Sequence, residues 1–337
     1  MRVKIVQNLS RWFQKNARSL PWRKHPDPYW VWLSEIMLQQ TQIATVLPYF
    51  DRFLQAFPTI EDLARAPLDE VLKLWAGLGY YSRARNLHRG AKAIADRIAQ
   101  GRGFPENRAA WLEVPGVGEY TAGAICSISL NQPEAIVDGN VVRVISRLLA
   151  IEKLDAKKTA IWSEARELVQ AKGADPRTLN QAMMELGALI CKPRNPKCEL
   201  CPVNLQCQGK SEPERYPEPK AKTVWKHLKE EKWFLLRMPS KEVTEIYLEQ
   251  NGNQGWRQGL WDFPNPGNTF KQAKWISEFE TRYTVTTHKM VRKHIVLDLS
   301  GLKQPALPLK GTWFSTDDLP GVPSPVKKAI LGYFNSK

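Results

Sequence analysis

VPGVGEYTAGAICSI, residues Val114 to Ile128, sets a Pro-Gly-Val-Gly turn between two helical stretches. Its two glycines, Gly116 and Gly118, let the backbone turn tightly and approach a partner closely. The amides that open the second helix then point outward at the positive end of its dipole, which suits a phosphate. An ordinary helix–helix turn has the same pattern, so the surrounding sequence must decide what this one does.

Outward from the turn, residues 1–208 read as mostly helical. FDRFLQAFPTIEDLARAPLDEVLKLWAGLGYYSRARNLHRGAKAIADRIAQ carries apolar residues three and four apart, interrupted by Pro and Gly at short intervals. Connections that brief suit a compact helical bundle. GKSEPERYPEPKAKT, residues 209–223, has three prolines and little apolar content, and reads as an extended linker. Beyond it the periodicity changes. KWFLLRMPS, TEIYLEQ and KHIVLDLS read as short strands, GLWDFPNPGN as a turn-rich segment, Lys271–Thr281 as a helix between strands, and PSPVKKAILGYF as a terminal helix. Residues 224–337 are therefore expected to form a smaller α+β domain.

The chain of 337 residues is 43% hydrophobic and 25% charged, an ordinary balance for a soluble globular protein, but its net charge is +15. Residues 224–337 hold 17 Lys and Arg against 11 Asp and Glu, and the preceding residues 32 against 23, so both halves are basic. A polyanion such as nucleic acid is the expected partner. The opening MRVKIVQNLSRWFQKNARSLPW has no long apolar run, and no stretch of eighteen apolar residues occurs. No export signal, no membrane span and a cytoplasmic location are expected.

Four of the five cysteines lie between Cys191 and Cys207, in CKPRNPKCELCPVNLQC. Cys191, Cys198, Cys201 and Cys207 follow a C-x6-C-x2-C-x5-C spacing, which can wrap one metal centre. A zinc site and a [4Fe–4S] cluster are both open on that spacing. Cys126, in AGAICSISL, reads as a small buried apolar residue.

YWVWLSEIMLQQTQIATVLPYF, from Tyr29 to Phe50, contains a single charged residue before Asp51, Glu35. A carboxyl group in apolar surroundings holds its proton to higher pH and can act as a general acid. Asp138 precedes Gly-Asn and the helical run VVRVISRLL, and reads as a helix N-cap. A cap also fixes a carboxylate and keeps it ionised.

Pro-Gly-Val-Gly, an Asp twenty residues past the second glycine, and the cysteine spacing together resemble the helix-hairpin-helix DNA glycosylase superfamily of endonuclease III. LPWR (Leu20–Arg23), WLSEIMLQQTQ (Trp32–Gln42), GLGYYSRARNLH (Gly77–His88), VDGNV (Val137–Val141) and NQAMMELGALIC (Asn180–Cys191) resemble more specifically its adenine DNA glycosylases of the MutY type. The likeness is strongest over roughly residues 10–210. GLWDFP (Gly259–Pro264) and LPGVPSPVKKAI (Leu319–Ile330) resemble that family's Nudix-like C-terminal domain, although no R-E-x-x-E-E run for nucleotide hydrolysis is present.

The resemblance implies a helical glycosylase region over 1–208. It contains a helix-hairpin-helix near 108–130 and a [4Fe–4S] loop at 191–207, followed by a linker and a Nudix-like domain. It implies a monomer that removes adenine opposite 8-oxoguanine, and less well opposite guanine, in duplex DNA. Glu35 would protonate the base, Asp138 would stabilise the sugar cation, and Tyr120 and Asn140 would hydrogen-bond the reacting centre. Arg18, Leu20, Trp22, Arg23 and Gln181 would line or support the pocket for an extruded adenine. Gln40 and Thr41 would probe the gap left in the duplex, Leu78 and Tyr80 would lie near the opposing base, and Gly116 and Gly118 would meet the DNA backbone. Strand-cutting relatives place a lysine just after the hairpin to form a Schiff base. Here Glu119-Tyr120 stands there, and Val142 stands where many relatives carry lysine, so base excision without strand cleavage is expected.

One stretch departs from the family. KMVRKHIVLDL places Arg292-Lys293-His294 where relatives carry a Phe-Ser-His loop that reads 8-oxoguanine. Either His294 reads the lesion while the two cations grip the backbone and weaken discrimination, or the reading loop lies at Thr286–His288. The rival functions are a pyrimidine- or T:G-directed glycosylase of the same fold and a non-catalytic iron–sulfur protein that binds DNA.

Overall fold

The structure, a computed structural model, describes residues 1–156, 158–219, 224–240, 243–252, 259–266, 273–300 and 311–335. Parts of three expected segments fall outside these residues, namely 220–223 of the linker, 267–268 of the turn-rich segment and 271–272 of the expected helix. The helices are α1 Arg2–Asn16, α2 Pro21–Lys24, α3 Pro28–Leu38, α4 Ile43–Ala56, α5 Ile60–Arg65, α6 Leu68–Trp75, α7 Ser82–Ala99, α8 Arg108–Leu112, α9 Glu119–Ile128, α10 Gly139–Leu148, α11 Thr159–Val169, α12 Pro176–Leu189 and α13 Ser324–Asn335. The strands are β1 Lys226–Arg237, β2 Glu245–Gln250, β3 Trp261–Asp262, β4 Lys274–Val285, β5 His288–Asp298 and β6 Gly311–Ser315. No described helix is long and apolar enough to cross a membrane.

The chain divides into two compact units. One comprises Met1–Val46, Phe57–Ala64 and Asn86–Ala221, and the other Leu47–Ala56, Arg65–Arg85 and Lys222–Lys337. The first is helical, and α1, α10, α11 and α12 close one of its cores around Ile5, Leu9, Ile145, Leu168 and Leu186. Polar side chains start these helices where the pattern needs a cap. Asp27 accepts from the amides of Tyr29 and Trp30, Asp138 from Val141, and Asp175 from Thr178, each satisfying donors that a helix start leaves open. The segment after the cysteines is bound to the end of α10 and does not run free as a linker. Gly209 donates to the carbonyl of Arg147, Glu218 to that of Glu152, and Arg215 pairs with Glu152 at 3.0 Å.

The second unit is built on a mixed sheet in the order β3-β2-β1-β5-β4, with β6 also pairing β2. β1 and β5 run parallel from Lys226↔His288 to Leu236↔Asp298, and β4 and β5 form an antiparallel hairpin. Helix α13 covers one face through Val326, Ala329, Ile330 and Tyr333, which pack on Phe234, Ile246, Phe263 and Val296. Where a helix was expected over Lys271–Thr281, the described residues from Lys274 onward are instead the start of β4. From Glu278 onward its burial alternates residue by residue, the signature of a strand with one face to the sheet core.

The same period of two overturns the placement of His294. Along β5, Met290, Arg292, His294 and Val296 fall on one buried face, so two of the three residues expected to touch DNA, Arg292 and His294, point into the unit. His294 is fully buried, stacks on Phe279 at 4.6 Å between ring centroids, and has Nε2 2.9 Å from Thr281 Oγ1. Arg292 is equally buried, chelating Asp262 at 2.8 and 3.1 Å and donating to Glu230 at 2.6 Å. Lys293 is half-buried on the opposite face and pairs with Glu278 at 2.7 Å.

Burial, with added repulsion from Arg292, lowers the His294 pKa from 6.5 to about 4. The unfolded chain therefore takes up a proton near pH 6.5 that the folded unit refuses until about pH 4. The stability tied to neutral His294 is complete above that window and is lost as pH falls through it, by about 3 kcal/mol in all. We expect the urea midpoint of unfolding to drop across this range, and to drop less in His294→Phe, which keeps a ring on Phe279 but cannot titrate. Parallel pH profiles for the two proteins would refute the assignment.

Candidate active site

Glu35 lies on α3, about two turns from an entry fixed by Pro28 and the Asp27 cap. The long apolar run that reads as one helix is broken after Leu38. Gln40 adopts φ 58°, and α4 begins only at Ile43. A non-glycine residue held in the left-handed region stores strain that surrounding structure must sustain. Gln40 is exposed there and Thr41 follows it half-buried, its hydroxyl donating to the Gln39 carbonyl.

The Gly-Val-Gly turn brings α9 against α3. Gly116 has φ 83°, and a Cβ on it would lie 2.5 Å from Cβ of Asn86, so both conformation and space require glycine. Gly118 caps α9, and two residues on Tyr120 donates its hydroxyl to Glu35 Oε2 at 2.8 Å. Burial raises the Glu35 pKa to about 7, the Tyr120 hydrogen bond opposes that rise, the negative charge of Asp138 adds to it, and Arg23 opposes it. The carboxyl group is thus half protonated near neutrality, the condition in which a general acid both holds a proton and can release it.

Asp138 caps α10 and its oxygens are divided between two donors. Oδ1 accepts from the Val141 amide at 2.7 Å and Oδ2 from Asn140 Nδ2 at 2.8 Å. Arg143 orients Asn140 by donating to its Oδ1 at 2.8 Å, and the same guanidinium donates to the carbonyls of Gly187 and Cys191, each at 2.7 Å. Gly187 permits this approach of α12 to α10, because a Cβ there would lie 2.5 Å from Cβ of Asn140. Glu35 is buried, whereas Asp138 is half-buried and accepts from two donors, so the two carboxyl groups sit in different environments.

Of the expected pocket residues, Leu20, Trp22 and Gln181 are buried, the last donating to the Arg177 carbonyl of its own helix at 3.2 Å. Arg18 and Arg23 converge on Glu185. Arg18 reaches both oxygens at 2.8 Å and Arg23 one at 2.9 Å. Burial alone would raise the Glu185 pKa, but these hydrogen bonds outweigh it and bring it down to about 2. Glu185 and Arg143 were not among the residues singled out in the sequence. Glu185 is the sole charge of the stretch NQAMMELGALIC, a signal of the kind that marks Glu35.

In the other unit, Leu78 is buried and Tyr80 is 44% exposed with φ 49°. Thr286 also has a positive φ, at the tip of the β4–β5 hairpin.

Cys191, Cys198, Cys201 and Cys207 line one small, largely apolar cavity of about 30 Å³. Arg147, buried on α10, donates to Cys191 Sγ at 3.4 Å and to the carbonyls of Lys192 and Pro193. Among the described residues no three His, Cys, Asp or Glu side chains are grouped to hold a single ion. Four thiols about a shared apolar cavity, with a guanidinium at one of them, fit a multi-iron cluster, which spreads its charge over several sulfurs. Val142, in place of the lysine that the family resemblance leads one to expect, is buried in the helical core.

Residues 33–170 match the HhH-GPD superfamily base excision DNA repair protein family, and residues 191–207 match the iron-sulfur binding domain of endonuclease III. An adenine DNA glycosylase from Buchnera aphidicola (subspecies Schizaphis graminum) is 34% identical over 349 residues, covering 96% of this chain and 97% of its own. The human adenine DNA glycosylase is 44% identical over 222 residues, 62% of this chain and 40% of that longer protein. Among solved structures, a thermostable thymine-DNA glycosylase superposes with a TM-score of 0.57 at 32% identity, over 63% of this chain and 97% of its own. Endonuclease III in a non-covalent DNA complex superposes with a TM-score of 0.53 at 23% identity, a likeness of fold, over 64% of this chain and 99% of its own.

Proposed function

The chain belongs to the adenine DNA glycosylases of the helix-hairpin-helix superfamily, and from that premise we propose that it excises adenine mispaired with 8-oxoguanine, and less efficiently with guanine. It is a DNA glycosylase of base excision repair, and its four clustered cysteines hold a [4Fe–4S] cluster. That cluster, when bound, ties the 191–207 loop into one rigid element. The observation that carries the proposal is the buried Glu35 carboxyl group, with its pKa near 7, facing Tyr120 and within the field of Asp138.

Adenine leaves deoxyribose poorly until a ring nitrogen is protonated. Glu35 supplies that proton, and its carboxylate is stabilised as it forms by the Tyr120 hydroxyl. The C1′–N9 bond then breaks with its electron pair going to the base, and positive charge develops on the sugar. Asp138, held by Val141 and Asn140, stabilises that cation by charge or by a transient bond to the anomeric carbon. Water completes the abasic sugar. Arg18 and Arg23, fixed by Glu185, border the pocket with Leu20, Trp22 and Gln181. Neither Glu119-Tyr120 nor buried Val142 offers an amine for a Schiff base, so the strand stays intact. The C-terminal domain is Nudix-like and reads the opposing base, and the enzyme works as a monomer at the nucleoid in the cytoplasm.

The test is incubation with duplexes holding A:8-oxoguanine, A:G, T:G or thymine glycol, each analysed with and without alkali. The expected result is alkali-labile sites at adenine only, most with 8-oxoguanine opposite, and little nicking without alkali. Release of thymine or its glycol in place of adenine would move the assignment to the pyrimidine-directed branch of the fold, which the thymine-DNA glycosylase similarity makes the natural rival.

A further inference from the structure

The loop Ala76–Tyr81 of the second unit is braced from several sides. Tyr49 donates its hydroxyl to the Ala76 carbonyl at 3.0 Å. Trp75 Nε1 donates to Gly79, and Arg83 to the carbonyls of Leu78 and Gly79. Gly77 has φ 109°, and a Cβ on it would lie 2.0 Å from the Tyr49 hydroxyl. Trp75 and Arg83 belong to the helices flanking the loop, α6 and α7, and Tyr49 to α4. Tyr81 differs. Its hydroxyl donates to the carbonyl of Val322 at 2.9 Å and accepts from the Gly77 amide at 3.4 Å, with the ring buried. One phenol therefore joins the loop to the residue that leads into α13, and Val322 itself belongs to the core beneath the sheet.

What the loop presents is Tyr80, exposed and held in the left-handed region. It borders a cavity of about 930 Å³ within the same unit, whose other walls include Arg85, Arg282, Thr284, Lys289 and Lys328. No carboxylate lines this cavity among the described residues. Cations and hydroxyls with no opposing acid suit a nucleic-acid strand. His294 and Arg292 are buried and contribute nothing to that surface.

We propose that Tyr81 is a positioning residue for recognition of the base opposite the target adenine, acting through Tyr80. Its bond to Val322 fixes the loop at a set distance from the β4–β5 hairpin across the cavity. The proposal rests on the adenine-excising reading given above. Left-handed Tyr80 is strained, so a loop released from Val322 relaxes away from the presented conformation.

The experiment compares the whole chain with Tyr81→Phe, which removes one hydroxyl and keeps the ring. Binding is measured to duplexes carrying a non-hydrolysable adenosine analogue opposite 8-oxoguanine or opposite guanine, and single-turnover adenine release is measured at saturating protein. The expected result is a preference for the 8-oxoguanine duplex reduced about fivefold, the usual worth of one neutral hydrogen bond, with the loss falling on affinity and not on the saturated rate. Tyr80→Ala loses the preference more fully, and adding Tyr81→Phe to it changes nothing further, because both act through one contact. An unchanged preference, equal weakening on both duplexes, or additive losses in the double variant would each overturn the proposal. If the unaltered chain releases adenine but does not distinguish the two duplexes, this proposal alone falls. If it releases no adenine from either, the parent reading falls and takes this one with it.

Discussion

Glu35→Gln lowers the rate of adenine release by about 10³-fold, the typical worth of a positioned general acid. Glutamine keeps the size of the side chain and an oxygen that accepts from the Tyr120 hydroxyl, so α3 and α9 stay packed and duplex binding persists. What disappears is the proton. The pH profile makes the same point independently. Because burial raises the Glu35 pKa to about 7, the unaltered enzyme should show a rate constant that is level below that pH and falls about tenfold per unit above it. The direction follows from the role: an acid acts in its protonated form, which is lost as pH rises. In Glu35→Gln the residual activity has no such limb. Adenine release in the variant at an undiminished rate, or a rate in the unaltered enzyme that climbs through neutrality, would mean that another group donates the proton.

Glu35 was legible in the sequence because charge is rare across Tyr29–Phe50, and a lone carboxyl in apolar company has few uses other than chemistry. Asp138 was legible for a different reason: Asp-Gly-Asn ahead of a helical run is a cap, and a cap immobilises its carboxylate whether or not it reacts. The turn at Gly116 carried its own signal, since Pro-Gly-Val-Gly cannot continue a helix. Glu185 carried the same signal as Glu35 but is neutralised by Arg18 and Arg23, which approach from 167 and 162 residues away. No local pattern announces a partner at that distance.

The misreadings sit in the sheet. Trp275 to Val285 mixes apolar residues with Glu, Arg and Thr, and ISEF has helix-like spacing over a few residues, so the period of two emerges only across the whole of β4. His294 was placed by likeness to a family loop, a likeness that fixes position along the chain but not which face of a strand a residue occupies. A shift of one residue reverses that face. Here the alternation puts Arg292 and His294 inward, where Asp262, Glu230 and Thr281 satisfy most of their polar atoms. The two cations that sequence alone offers to DNA therefore divide, with Arg292 serving the fold and Lys293 the surface.

Asp138→Asn is the complementary experiment, and it separates the charge of the residue from its cap. Asparagine still offers an oxygen to the Val141 amide, so the start of α10 is kept and the thermal midpoint should move little. The loss is of the negative charge held beside the developing sugar cation, and we expect adenine release to fall by about 10²-fold or more. A second consequence follows. The charge on Asp138 helps to raise the pKa of Glu35, so removing it should move the alkaline limb of the pH profile to lower pH; loosened packing around Glu35 would move it the same way, and the unmoved thermal midpoint is what separates the two. Asn140 links the two effects to the rest of the molecule. It donates to Asp138 and is itself held by Arg143, whose other bonds run to the Gly187 and Cys191 carbonyls. An Asp138→Asn enzyme that keeps its full rate would leave the cap as the residue's whole purpose, and the sugar cation would need a different counter-charge. One that loses rate with its pH limb unmoved would place Asp138 beyond electrostatic reach of Glu35, and the acid and the anion would then work as independent groups.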